Sequence, residues 1–184
     1  KAFRVQVAVP GLHNAYNALA AATVGLTFQV PAKKIMEALS AFVSASKRMQ
    51  VLKLNGITVL NDTYNSNPDS TLAALRVLEG VRASGKKVAV LADMLELGPK
   101  AADEHRRIGQ LVAKSGARHL LTYGNLSQQT HDAATTVFKE HFEQKNALSE
   151  HLAELLARGD VVLVKGSRGM KMEEVVAFIT ARFK

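Results

Sequence analysis

From Gln50 to the end of the chain, short apolar runs alternate with stretches of helical period, and this pattern restricts the fold more than any other feature. Val51 to Leu54 and Ile57 to Leu60 flank Asn55-Gly56, the strongest two-residue signal for a hairpin. A helix is expected from Asp69 to Ala83, a strand at Val88 to Leu91 and a helix around Glu104 to Lys114. A strand at Leu120 to Tyr123, helices near Asp132 and from Ala147 to Ala157, and the apolar strand Val161 to Val164 follow. The last helix shows Met172, Val175, Val176, Ile179 and Phe183 on one stripe. Apolar strands separated by helices need cover on both faces, which predicts a Rossmann-like α/β domain with a mainly parallel sheet and an N-terminal hairpin. Ligands in such sheets bind beyond the carboxyl ends of the strands. Those ends are Asn61 to Asp69, Asp93 to Gly98, Gly124-Asn125 and Lys165 to Gly169.

The residues before Gln50 follow a different pattern. Phe3, Val5, Val7 and Val9 alternate with Arg4, Gln6 and Ala8, which predicts a half-buried strand ended by Pro10-Gly11. An alanine-rich helix starts at His13, and a second carries Ile35, Ala38, Leu39 and Phe42 at helical spacing. One strand and two helices cannot close a core, so residues 1–47 read as the tail of a larger domain and 48–184 as a domain of its own.

Composition excludes several classes of function. There is no cysteine, hence no disulfide framework, thiolate metal site or cysteine nucleophile. No apolar run is long enough to span a membrane. The net charge of +8 favours anionic partners, but the basic residues are scattered as pairs such as Lys33-Lys34 and Arg106-Arg107. With no tryptophan and no aromatic-studded strand, nucleic acid is not the expected partner. Gly80 to Lys87 imitates a phosphate loop, yet it runs from helix into strand and has Lys87 where the metal-binding hydroxyl belongs, so it reads as a helix end.

Four polar strings remain. Asn14 and Asn17 lie three apart on one helical face beside His13; their amides offer the donor and acceptor that an adenine edge needs, although Asn14 could simply cap the helix. Asp62, Tyr64 and Asn65 crowd one strand exit before Asn67-Pro68, a helix cap and first turn. Asp93 and Glu96 end the next strand, where paired carboxylates could hold an ammonium group or Mg²⁺, or simply start a loop or cap a helix. His105 falls on an apolar helix face, where a satisfied buried imidazole is the commoner outcome. Lys165, Ser167 and Arg168 precede the last helix and suit a carboxylate or phosphate.

In order, Gly11-Leu12-His13-Asn14 with Asn17, Arg48, Asp62-Thr63-Tyr64-Asn65-Ser66-Asn67-Pro68-Asp69-Ser70, Asp93-Met94-Leu95-Glu96-Leu97-Gly98 and Lys165-Gly166-Ser167-Arg168 resemble the Mur ligase family along nearly the whole chain. The resemblance implies a three-domain ATP-dependent amide ligase of peptidoglycan synthesis. Residues 1–47 would be the end of its central ATP-binding domain and 48–184 its C-terminal domain. ATP would phosphorylate the carboxylate of UDP-N-acetylmuramoyl-tripeptide, and the amine of D-alanyl-D-alanine would attack the acyl phosphate.

By the same resemblance, His13, Asn14, Asn17, Arg48 and Asp62 would bind ATP. Tyr64, Asn65, Asn67, Asp93, Glu96, Lys165, Ser167 and Arg168 would line the substrate cleft, the last three on peptide carboxylate. The phosphate loop and Mg²⁺ ligands would precede residue 1, leaving this piece inactive alone. The parent would be a cytoplasmic monomer acting on small molecules. The sequence departs from the family at Lys47, where glycine is usual, at Asn61, where aspartate is common, and at Ala92, where glycine precedes the aspartate. The alternatives are a non-catalytic nucleotide- or peptide-binding module and an amide ligase for another amino acid.

Overall fold

The computed structural model describes residues 3–43, 46–136 and 138–184. The chain divides into two compact units, Lys1–Ala45 and Ser46–Lys184.

In the first unit, α1 (Leu12–Thr27) and α2 (Ala32–Ser40) form as the alanine-rich and apolar-periodic stretches predict. They meet closely: a Cβ on Gly25 would lie 2.9 Å from the Ile35 side chain. The strand expected over residues 3–9 is absent, although exposure still alternates along it. The alternation alone cannot make a strand, because its backbone groups have no neighbouring strand to bond among the described residues of this unit. Phe42 lies beyond the end of α2 and is exposed, as are Leu12, Tyr16 and Leu19.

The second unit is a six-stranded sheet. β1 (Gln50–Leu54) and β2 (Ile57–Asp62) form the expected hairpin, with Asn55 at φ 43° and Gly56 at φ 86°, the pair of left-handed residues that this turn requires. They are followed by α3 (Pro68–Gly80), β3 (Lys87–Ala92), α4 (Ala101–Val112), β4 (His119–Tyr123), α5 (Ser127–Ala133), β5 (Phe138–Phe142), α6 (Lys145–Leu155), β6 (Val161–Lys165) and α7 (Glu173–Arg182). The strand order is β1-β2-β6-β3-β4-β5, and every pairing except β1 with β2 is parallel. The sequence pattern misses β5. Its Phe138-Lys139-Glu140 start is exposed at the sheet edge, so it lacks the apolar run of a strand covered on both faces.

β6 lies between β2 and β3, and all its residues are buried. Val162 and Val164 pack with Leu148 and Leu152 of α6 and Val175 and Ile179 of α7. Val161 and Leu163 pack on the other face with Leu75 and Leu78 of α3 and Ile108 and Val112 of α4. Strand alternation therefore sends Lys165 to the α3 and α4 face, together with its register partner Asp62 of β2. Among the described residues, no helix is long and apolar enough to cross a membrane.

Candidate functional site

Because β2, β6, β3 and β4 run parallel, their carboxyl ends lie side by side and the polar strings that follow them converge. The centre of the cluster is the last residue of the central strand. Lys165 Nζ donates to Asp62 Oδ2 at 2.6 Å and to the Asn65 carbonyl at 2.9 Å. The lysine side chain is only 2% exposed, whereas Asp62 is 16% exposed. Burial pushes the Lys165 ammonium below the usual lysine range against the opposing pull of Asp62, and the positive charge of Arg48 adds to the lowering. Asp62 Oδ1 accepts the Met49 amide at 2.9 Å, so the carboxylate also anchors the entry to β1.

Tyr64 faces outward. Its amide donates to the Lys47 carbonyl at 2.9 Å, and its ring lies 3.9 Å from the Arg48 guanidinium and 5.7 Å from that of Arg168. One phenol thus gathers two cations, a stacking that suits guanidinium. Lys47 holds its carbonyl there in a left-handed conformation at φ 67°, a conformation that favours glycine, and its ammonium meets Glu173 at 2.9 Å.

The remaining predicted residues divide by the direction they face. Ser167 is buried; its hydroxyl accepts the Leu95 amide at 2.8 Å and donates to the Ser66 carbonyl at 3.1 Å, tying the loops after β3 and β2 to the one after β6. Asp93 is also buried, and its carboxylate accepts the Ser127 amide at 2.7 Å at the start of α5. Asn67 caps α3, accepting from the Ser70 amide at 2.8 Å while the Ser70 hydroxyl accepts from its own amide at 3.1 Å. Asn65 is exposed, with its side-chain oxygen accepting the Ser66 amide at 2.8 Å. Glu96, at φ 65°, is exposed, as are Arg48 and Arg168.

His105 follows the bland expectation. Nε2 accepts the Met94 amide at 3.0 Å and Nδ1 lies 2.7 Å from the Ala101 carbonyl, which fits a ring protonated on Nδ1 and supporting the Asp93-Met94 turn. Sequence reasoning missed two other supports. Ser66 and Thr71 share a buried hydroxyl contact of 2.9 Å, and the Met49 amide fixes Asp62. Neither leaves a sequence signal, since one is a backbone group and the other a common polar pair near a helix start.

In the first unit, Asn14 donates to the Pro10 carbonyl at 2.8 Å, while His13 and Asn17 are exposed. Gly11 occupies the cap position of α1, so Asn14 does not cap the helix. Among the described residues, no three His, Asp or Glu side chains gather as they would to hold a metal ion.

The family profile described as the Mur ligase glutamate ligase domain matches residues 47–168. The chain is 33% identical over 175 residues to the UDP-N-acetylmuramoyl-tripeptide--D-alanyl-D-alanine ligase of Bacillus subtilis, covering 92% of this chain and 38% of that protein. To the Escherichia coli protein of the same description it is 35% identical over 176 residues, covering 94% and 38%. Among solved structures, MurF from Acinetobacter baumannii matches with a TM-score of 0.87 and 28% identity over 96% of this chain and 39% of that one. The fold is also shared with MurF ligase from Thermotoga maritima in complex with ADP, at a TM-score of 0.86 and 22% identity, over 98% and 41%. The chain thus spans about 38% of the length of these curated relatives.

Proposed function

The chain belongs to the Mur ligase family, and from that premise we propose that it is part of an ATP-dependent amide ligase joining D-alanyl-D-alanine to UDP-N-acetylmuramoyl-tripeptide through an acyl phosphate in peptidoglycan synthesis. The curated relatives carrying that description support the reading, because they match more than nine-tenths of this chain. The observation that carries it is the convergence of Arg48, Asp62, Tyr64 and Arg168 at neighbouring strand exits, two of them cations that remain exposed. An acyl phosphate and a peptide carboxylate are both anions, and guanidinium groups bind either one in a bidentate manner.

In this reading residues 48–184 form the C-terminal domain and 1–47 the end of the central ATP-binding domain; the exposed apolar side chains of α1 fit a helix that belongs to a larger core. His13, Asn14 and Asn17 take the adenine edge, with Asn14 keeping one N–H and its side-chain oxygen beyond the bond to the Pro10 carbonyl. Arg48 and Asp62 serve the nucleotide, and Tyr64, Asn65, Glu96 and Arg168 line the dipeptide side. Asn67 and Asp93 support these side chains through α3 and α5. The ligands of the Mg²⁺ that accompanies ATP lie outside these residues, and the parent works in the cytoplasm as a monomer.

Catalysis here depends on positioning and on neutralising phosphoryl charge, so the chain alone releases no phosphate. In the complete ligase, phosphate release from ATP should require both UDP-N-acetylmuramoyl-tripeptide and D-alanyl-D-alanine. Arg168→Ala should raise the dipeptide KM about tenfold, the scale of one charge-assisted contact. Turnover with a different amino acid in place of the dipeptide would overturn the substrate assignment.

A further inference from the structure

The Lys165-Gly166-Ser167-Arg168 string has three polar side chains, and the fold treats them differently. Lys165 and Ser167 are buried at 2% and 4% exposure, and only Arg168 is exposed. Two of the three donors on the Lys165 ammonium are committed within the chain, to Asp62 Oδ2 and the Asn65 carbonyl. The Ser167 hydroxyl uses its single proton on the Ser66 carbonyl and accepts the Leu95 amide. With the lysine side chain only 2% exposed, a ligand carboxylate would have to enter a site with little water access and compete there with Asp62, already held at 2.6 Å.

We propose that Lys165 is a positioning residue that acts through Asp62 and the Asn65 carbonyl, with Ser167 as its companion, and that Arg168 is the one side chain of this string that touches the peptide carboxylate. Lys165 fixes both ends of a four-residue segment, Asp62 at the strand end and Asn65 at the start of the turn into α3. Tyr64 lies between them and carries Arg48 and Arg168 against its ring, so the ammonium sets the separation of the groups that face a ligand. Met49 bonds the other oxygen of Asp62, which leaves this carboxylate a single orientation.

The catalytic arm of the test rests on the ligase reading; the other arm does not. In the complete ligase, Lys165→Met should lower kcat at least tenfold and raise the dipeptide KM by less than Arg168→Ala does, with Asp62→Asn adding less than threefold on top of it. A dipeptide KM raised more than tenfold at unchanged kcat would make Lys165 a carboxylate ligand and overturn the proposal. The second arm uses ¹⁵N-lysine spectra of the 184-residue chain without substrate, so it keeps its meaning if the variant fails to fold or the parent proves to be a different enzyme. A Lys165 ammonium signal protected from solvent exchange, and lost in Asp62→Asn, is the expected result. Exchange as fast as that of the surface lysines would refute the buried pair itself.

Discussion

Each end of the sheet carries a lysine paired with a carboxylate at 2.6 Å, and the two pairs are built in opposite senses. At the amino end Asp160 is the hidden partner, 2% exposed, while Lys86 is 24% exposed. Its carboxylate accepts the Lys86 and Ala157 amides at 2.8 Å as well as the Lys86 ammonium, so the ends of β3, β6 and α6 are tied to one anion. At the carboxyl end the lysine is hidden and the carboxylate keeps a solvent-facing edge. A saturated anion can only hold the fold together. A half-open one, oriented from behind by a buried cation, can still accept a donor from a ligand, and parallel α/β sheets place their ligands at this end.

Breaking the amino-end pair should have the largest effect. Asp160→Ala strands two backbone amides and a lysine, and should cost about 3–5 kcal/mol in urea unfolding, the range for losing one partner of a buried charge pair. A loss below about 1 kcal/mol would erase the contrast between the two ends.

At the carboxyl end, Lys165→Met should cost about 1–3 kcal/mol at neutral pH, because Asp62 remains partly hydrated while the Asn65 carbonyl loses its donor. The pH dependence sharpens the comparison. The folded lysine titrates below its unfolded value of 10.5, so between the two values the unfolded chain holds the extra proton and wild-type stability rises with pH. The gap between wild type and Lys165→Met should therefore widen from pH 7 towards 10.5, measured by denaturant midpoints at both ends of that window. A gap that narrows would mean the ammonium is not buried.

Lys47→Gly should move stability the other way, by about 0.5 kcal/mol, since releasing a left-handed non-glycine residue outweighs the added freedom of the unfolded chain. The pair lost with Glu173 is more than a third exposed on both sides and weakly stabilising. Arg168→Ala should have the smallest effect, within about 0.5 kcal/mol in thermal or urea unfolding, as expected for an exposed side chain. Its effect belongs in dipeptide binding, so a large stability loss would place it with the structural residues.

Much of the fold is legible in the sequence because its signals are local. Asn55-Gly56 can close a tight hairpin by itself, and the stripe from Met172 to Ile179 needs only helical period. Where an element depends on a distant partner, the local signal fails. Residues 3–9 alternate as a strand does yet form none, while β5 forms at the edge from a polar run whose pairing with β4 replaces the missing apolar pattern. The candidate site divides the same way. Turn chemistry reveals that polar strings follow the strands, and Asn67 can be recognised as a cap. It does not reveal that Ser167 and Asp93 turn inward while Arg168 and Glu96 turn out.

By itself, then, the sequence determined the alternation of strand and helix, the place of the polar residues at strand ends and the family to which they belong. Tertiary structure alone decided what each polar side chain does. Lys165 and Asp62 are 103 residues apart, and they meet because β6 inserts between β2 and β3, out of chain order. Local propensity carries no record of such a crossover. The burial that turns a lysine from ligand contact into internal support comes from neighbours supplied by the rest of the sheet.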